Sequence, residues 1–214
     1  MATRVLLAIG QRLYREALRD AITQRLGVDV VAEAADGREA LTRVKELALD
    51  LVILQPGLKE LNGAETIRQL QLEKPDLPVI AVSSHSDYPL VMGVLKAGAR
   101  AFILADGGLE ELERAIEASM DGQIYLSPGL EATVARSLRN SSSSATNEIL
   151  THREIEVLQL LAEGKSTKRV AETLSVSTKT VETHRLHIMA KLRLYSIAEL
   201  TKYAIRQGIT TTAS

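Results

Sequence analysis

Short apolar runs alternate with longer stretches in which apolar residues recur every three or four positions, and the alternation repeats five times. The runs Arg4–Ala8, Val28–Ala34, Leu51–Leu54, Pro78–Ser83 and Ala101–Leu104 have strand length. Between them, Arg12–Leu26, Gly37–Glu46, Gly63–Leu72 and Tyr88–Ala97 carry helical periodicity, and Leu109–Met120 follows the fifth run. A helix spacing alternating with uninterrupted apolar strands predicts right-handed crossovers around a parallel sheet buried on both faces. The expected fold is therefore an α/β doubly wound domain with a five-stranded parallel sheet. In such sheets ligands sit beyond the carboxyl ends of the strands, close to where the strand order reverses. The loops there hold Ile9, Gly10 and Gln11, then Gln55 to Leu61, Ser83 to Asp87, and Ala105 to Gly107, which makes a pocket with almost no charge.

From Leu150 the pattern becomes wholly helical. Thr151-His152-Arg153-Glu154 fits a capping box, in which a hydroxyl and a carboxylate each satisfy a backbone donor at a helix start. That helix runs through Ile155, Val157, Leu158 and Leu161 and stops near Gly164, and a second spans about Thr167–Leu174. Ser175-Val176-Ser177 makes a tight turn, with Ser177 as N-cap of a third helix over Thr178–Lys191. Two short helices joined in this way form a helix-turn-helix, whose second helix can enter a DNA major groove. Val181, Ile188 and Leu192 fall on one face of that helix, leaving Lys179, Glu182, Thr183, Leu186 and Ala190 on the other. Leu186 could meet a thymine methyl, and Glu182 could accept from cytosine N4. Arg185, Lys191 and Arg193 lie where they could neutralise phosphates. The alternative is that Leu186 packs on another helix and the charges form a solvated face.

Composition narrows the class. Hydrophobic residues are 45% and charged residues 25%, which is ordinary for a globular chain, and 214 residues suffice for two modest domains. Aromatic residues are only 3%, so Leu, Ile, Val and Ala must fill the cores. Without cysteine there can be no disulfide, thiolate metal site or cysteine nucleophile. The opening apolar run is too short for a signal peptide or membrane span, so the expectation is a cytoplasmic protein with no membrane partner. The net charge of −1 conceals an asymmetry: residues 1–145 carry 16 basic and 20 acidic side chains, and residues 146–214 carry 10 and 7. Only the second part has a balance suited to a polyanion. Between the two lies a segment that could hold one helix, from about Pro128 to Leu138, and then the polar tract 141–147, which reads as a linker. The domains are accordingly placed at 1–122 and 147–214, joined by 123–146.

Three stretches carry a family resemblance: Leu150 to Leu158, Ala162-Glu163-Gly164-Lys165-Ser166, and Ser177-Thr178-Lys179-Thr180-Val181-Glu182-Thr183-His184-Arg185. Together they resemble the LuxR-type DNA-binding domain. The resemblance implies four helices, a recognition helix at Thr178–Lys191, and a last helix, about Ile197–Gln207, that helps the domain dimerise. DNA contacts would then come from Ser177, Thr178, Lys179, Thr180, Glu182, Thr183, Arg185, Leu186 and Lys191. A homodimer implies an inverted-repeat site on double-stranded DNA.

The first 120 residues resemble the receiver of a NarL/FixJ-family response regulator. The resemblance rests on Glu33 to Leu41, on Leu61-Asn62-Gly63, and on Lys96-Ala97-Gly98-Ala99. In that family phosphorylation needs two acids after the first strand, an acceptor aspartate after the third, a hydroxyl after the fourth and a lysine after the fifth. Here Ile9 and Gly10 stand for the acids, Gln55 for the acceptor and Ala105 for the lysine, while Ser83 and the switch-position aromatic Phe102 remain. Mg²⁺ needs hard oxygen ligands, and without it little neutralises a transferring phosphoryl group. The expectation is therefore a DNA-binding regulator that is not an enzyme, has no cofactor and acts without aspartyl phosphorylation. Gln55 would be a neutral filler bonded to loop amides. The receiver-like part could be a constitutive dimerisation module, a site for a small ligand, or a dock for a protein partner; in the runner-up reading it holds the DNA-binding domain silent. His184 and His187 have a spacing metals can use but no third ligand nearby, so no metal site is expected.

Overall fold

The computed structural model describes residues 2–131, 134 and 150–210. The chain divides into two compact units, Met1–Asn140 and Ser141–Ser214.

In the first unit, strands β1 (Arg4–Ala8), β2 (Asp29–Ala34), β3 (Leu51–Leu54), β4 (Val79–Ser83) and β5 (Ala101–Leu104) alternate with helices. The helices are α1 (Arg12–Leu26), α2 (Gly37–Glu46), α3 (Gly63–Glu73), α4 (Tyr88–Lys96) and α5 (Gly108–Met120). The sheet has six strands rather than five. The added one, β6 (Tyr125–Leu126), is two residues long, too short for periodicity to reveal. It is held by Tyr125 N–H donating to Arg100 O and Ser127 N–H donating to Phe102 O, both at 3.0 Å. All strand pairs are parallel, in the order β2-β1-β3-β4-β5-β6, so the order reverses between β1 and β3.

Successive residues of β1 enter opposite cores, because strand side chains alternate between faces. Leu6 and Ala8 join Val52, Leu54, Ala81 and Phe102 beneath α2, α3 and α4. Val5, Leu7 and Ile9 join Ile53, Ile80 and Ile103 beneath α1 and α5, where Ile22 and Ala115 close the layer. The predicted helix at Pro128–Leu138 lies largely outside the described residues; its Leu130 is buried in the first of these cores.

Local signals explain the helix starts. Asp36 caps α2 by accepting from Glu39 N–H, and Asn62 caps α3 by accepting from Glu65 N–H. The loop between β3 and α3 is drawn tight by Gly63 N–H donating to Pro56 O at 2.7 Å. A Cβ at Gly63 would lie 2.6 Å from Pro56 Cα, so only glycine fits.

In the second unit, α6 (His152–Ala162), α7 (Thr167–Leu174), α8 (Thr178–Leu192) and α9 (Ile197–Arg206) surround one core built on Val157, Leu158, Leu160, Val170, Val181, Ile188 and Leu200. The Thr151–Glu154 capping box is formed, and Ser196–Glu199 makes a second one at the start of α9. Past the end of α6, Gly164 takes φ 80, the left-handed conformation that lets the chain turn away at no steric cost.

Candidate nucleic-acid interface

α7 and α8 are joined by a three-residue turn in which Ser175 adopts φ 53. Ser177 then opens α8, its Oγ accepting from Thr180 N–H at 3.0 Å and lying 2.8 Å from Thr180 Oγ1. These two hydroxyls hold each other as a cap, so at this end the backbone and the side chains of Thr178 and Lys179 are what face outward; both residues are exposed. Val181 and Ile188 are fully buried, and Leu192 is partly buried against the same core. The opposite face presents Lys179, Glu182, Thr183, Leu186 and Ala190 to solvent. Leu186 is 61% exposed, which removes the alternative that it packs on another helix within the unit.

Two basic residues differ from the simplest reading. The Lys191 ammonium lies 2.6 Å from Glu154 Oε2, which also accepts from Thr151 N–H at 2.7 Å. Glu154 is 3% exposed, so Lys191 neutralises a buried carboxylate and ties the end of α8 to the start of α6. Its ammonium thus has a carboxylate partner within the fold, at a residue expected from the sequence to meet a phosphate. Burial alone would raise the Glu154 carboxyl, but hydrogen bonds from Lys191 and Thr151 outweigh it and hold it below the ordinary carboxylate range. Arg185 is half-buried, and its buried Nε has no hydrogen-bond partner among the described residues. No group of three or more His, Asp or Glu able to hold a metal occurs among the described residues, and His184 and His187 are part of none.

At the other unit, the loops at the carboxyl edge of the sheet are brought together by strand register. Ala8 pairs with Leu54 and Leu54 with Ala81, while Ser83 pairs with Leu104, so Ile9, Gln55, Ser83 and Ala105 emerge along one edge. Gln55 N–H donates to Ala8 O at 2.9 Å. Ile9 does not face a pocket: it is fully buried in the core under α1 and α5, and its carbonyl accepts from the Arg15 guanidinium. Arg15 also donates to Glu33 at 2.9 Å, and Arg19 donates to the other Glu33 oxygen at 2.8 Å. Partial burial would raise the Glu33 carboxyl, and the two guanidinium hydrogen bonds reverse that and lower it. Gly10 and Ala105 are exposed, and Ala105 opens a single 3₁₀ turn, Ala105–Gly107. Phe102 is fully buried. Ser83 Oγ accepts from His85 N–H at 3.0 Å, a strand-end role. Among the described residues the Gln55 side-chain amide has no hydrogen-bond partner. It therefore fills the position without the loop bonds expected of it.

Sequence reading missed one further constellation. Ser127, which is 2% exposed, uses its hydroxyl to accept from Leu104 N–H at 2.7 Å and to donate to the buried Glu111 carboxylate. It fastens the start of the linker segment to the end of β5. Ser127 lies 16 and 23 positions from Glu111 and Leu104, and the unforeseen β6 brings it to them.

Comparison with known proteins agrees with this architecture. Residues 5–117 match the response regulator receiver domain, and residues 148–204 match the luxR family of bacterial regulatory proteins. The chain is 32% identical over 207 residues to the transcriptional regulatory protein LiaR of Bacillus subtilis, covering 96% of this chain and 98% of LiaR. It is 34% identical over 217 residues to the oxygen regulatory protein NreC of Staphylococcus epidermidis, covering 96% and 98%. In fold it is similar to the RcsB response regulator of Salmonella typhimurium, with a TM-score of 0.65 at 24% identity over 95% of this chain and 97% of that one. A parallel receiver-like sheet followed by a helix-turn-helix unit defines a DNA-binding transcriptional regulator. The chain belongs to the response-regulator family, with a carboxyl-terminal domain of luxR type.

Proposed function

We propose that the chain binds double-stranded DNA as a homodimer through α8 and the turn before it, and that it does so without aspartyl phosphorylation. The observation that carries the DNA contact is the face of α8: Val181 and Ile188 fix the helix while Lys179, Glu182, Thr183 and Leu186 stand free. Thr178 and the Ser177–Thr180 cap bring the helix amino terminus, with its partial positive charge, toward a phosphate. Lys179 and Arg185 supply direct charge, and Lys191 acts at second hand by bracing α8 on Glu154. In this reading the input unit is residues 1–122, with β6 and Leu130 of the 123–146 segment packed onto it, and the output unit is residues 147–214. Dimerisation through the output unit, with α9 on the contact side, implies an inverted repeat whose half-sites lie about one DNA turn apart.

Phosphorylation independence rests on chemistry that the strand ends do not carry. Ile9 lies in an apolar core where the family has a metal-binding acid, Gln55 offers an amide instead of a nucleophilic carboxylate, and Ala105 supplies no ammonium. With neither Mg²⁺ ligands nor a charge-neutralising lysine, no group there would stabilise a phosphoryl transfer. A constitutive dimerisation and positioning module is the role of the input unit that this favours. A regulator of this kind works where the DNA is, in the cytoplasm, and needs no cofactor.

The test is the salt dependence of binding to a selected operator, followed by fluorescence anisotropy with the full chain. Lys179→Ala or Arg185→Ala weakens binding and lowers the slope against log salt by about one unit for each phosphate no longer neutralised. Unchanged affinity and slope in both variants would exclude α8 as the contact.

A further inference from the structure

We propose that the body of α8 reads its site by accepting and by apolar contact: Glu182 takes an exocyclic amine of cytosine, and Leu186 packs on the C5-methyl of a thymine in the same half-site. This rests on the DNA contact by α8 proposed above and names what that contact selects.

The inference follows from an inventory of the outward face. At 100° per residue, Lys179, Glu182, Thr183, Leu186 and Ala190 lie on one arc opposite the buried Val181 and Ile188, and all five are exposed. Thr183 carries a hydroxyl, but its Oγ1 donates to Lys179 O at 3.0 Å. The hydroxyl hydrogen is engaged inside the helix, and the side chain offers outward a methyl group and an oxygen that can only accept. Glu182 is an acceptor when ionised, and Leu186 and Ala190 have no polar side-chain atoms. Glu182, Thr183, Leu186 and Ala190 therefore offer no free donor of their own. Lys179 lies one turn nearer the amino terminus, Arg185 and His187 lie to either side of the arc, and Arg193 follows the end of the helix.

The major-groove code gives this a definite meaning. Guanine O6 and N7, adenine N7 and thymine O4 are acceptors and need donors from the protein, which these four side chains do not have. What it complements is an amine, as on cytosine N4, and a methyl, as on thymine C5. A carboxylate facing guanine acceptors would be repelled, so Glu182 also selects against the wrong base. Residues four apart on a helix are separated by ~6 Å along the axis, which places the two contacts within about two base pairs of each other.

The experiment selects bound duplexes from a random library with the full chain, then measures affinity on the selected half-site with each thymine in turn replaced by deoxyuridine, which removes only the C5-methyl. A single deoxyuridine at the contacted position should weaken the wild-type chain about 4-fold, the worth of one buried methyl, and should cost nothing further in Leu186→Ala. Glu182→Gln should shift one selected position from cytosine to adenine, since Gln pairs with adenine N6 and N7. Leu186 and Glu182 are exposed, so neither substitution disturbs the core. Specific binding with no deoxyuridine effect, or with one that persists in Leu186→Ala, would overturn the methyl contact; a selected position unmoved by Glu182→Gln would overturn the amine contact. In either case the DNA contact by α8 would stand if Lys179→Ala still weakened binding. Failure to enrich any sequence would overturn both.

Discussion

At the scale of single residues, the pair Glu154–Lys191 ties the end of the recognition helix to the start of α6. A carboxylate 4% exposed at its side chain faces an ammonium 39% exposed at 2.6 Å. Lys191→Ala strands the buried charge and should destabilise the second unit by about 2 kcal/mol in urea denaturation, less than the ~3–5 kcal/mol of a fully buried pair because Lys191 keeps part of its surface in water. The pH dependence has a definite sign. Burial opposes ionisation of Glu154, but its bonds to Lys191 and Thr151 prevail and depress the folded-state value below 4.5. The group therefore contributes its full stability above the unfolded value and loses it as pH falls through the depressed one. Hydrogen exchange at Val181 and Ile188 should show this acid limb, and Glu154→Gln should flatten it. These probes separate it from Glu33 in the other unit, which is depressed in the same direction by Arg15 and Arg19. None of this was legible from the chain. The capping box fixed Glu154 locally, but nothing in the spacing of residues 154 and 191 announces that they meet. Thr183 is similar: its type hinted at base contact, while the engagement of its hydroxyl with Lys179 O emerges only once the helix is built.

At the scale of elements, the strands made wholly of apolar residues were the easiest to find. Leu51–Leu54 and Ala101–Leu104 are continuous apolar runs because both faces of a parallel sheet are covered, and they have the predicted bounds. Helix starts were legible wherever a capping side chain stood at the right offset, as at Thr151 and Ser177. β6 was not legible, because two residues carry no period and its stability comes from β5 and from Ser127. Ser127→Ala tests that dependence. It leaves Leu104 N–H and the Glu111 carboxylate without the Ser127 hydroxyl, and should cost about 1–3 kcal/mol in the first unit with the second unit unaffected. Loss of protection at the Tyr125 and Ser127 amides ahead of the rest of the sheet would be its signature; an unchanged exchange pattern would mean that β6 stands without the latch.

At the scale of the molecule, a receiver-like unit without acidic residues at the ends of β1 and β3 is attached to a helix-turn-helix unit that keeps its capped recognition helix. The alternation of patterns and the change to all-helical spacing at Leu150 made both units readable from the chain. The strand-end pocket was readable in its residue types but not in its geometry: Ile9 turned out to belong to a core, and Gln55 to bond with nothing in its loop through its side chain. Restoring one group should not restore the chemistry. Gln55→Asp alone should take up no phosphate from acetyl phosphate and Mg²⁺, because Ile9 and Ala105 still supply neither metal ligand nor cation. In the function proposed for this chain, DNA binding proceeds without this chemistry. Its most direct test is the operator affinity of the wild-type full chain with and without acetyl phosphate and Mg²⁺, alongside mass measurement of the same sample. Binding without phosphorylation means one dissociation constant in both conditions and an unmodified mass; a gain of one acid- and base-labile phosphoryl group together with tighter binding would contradict it.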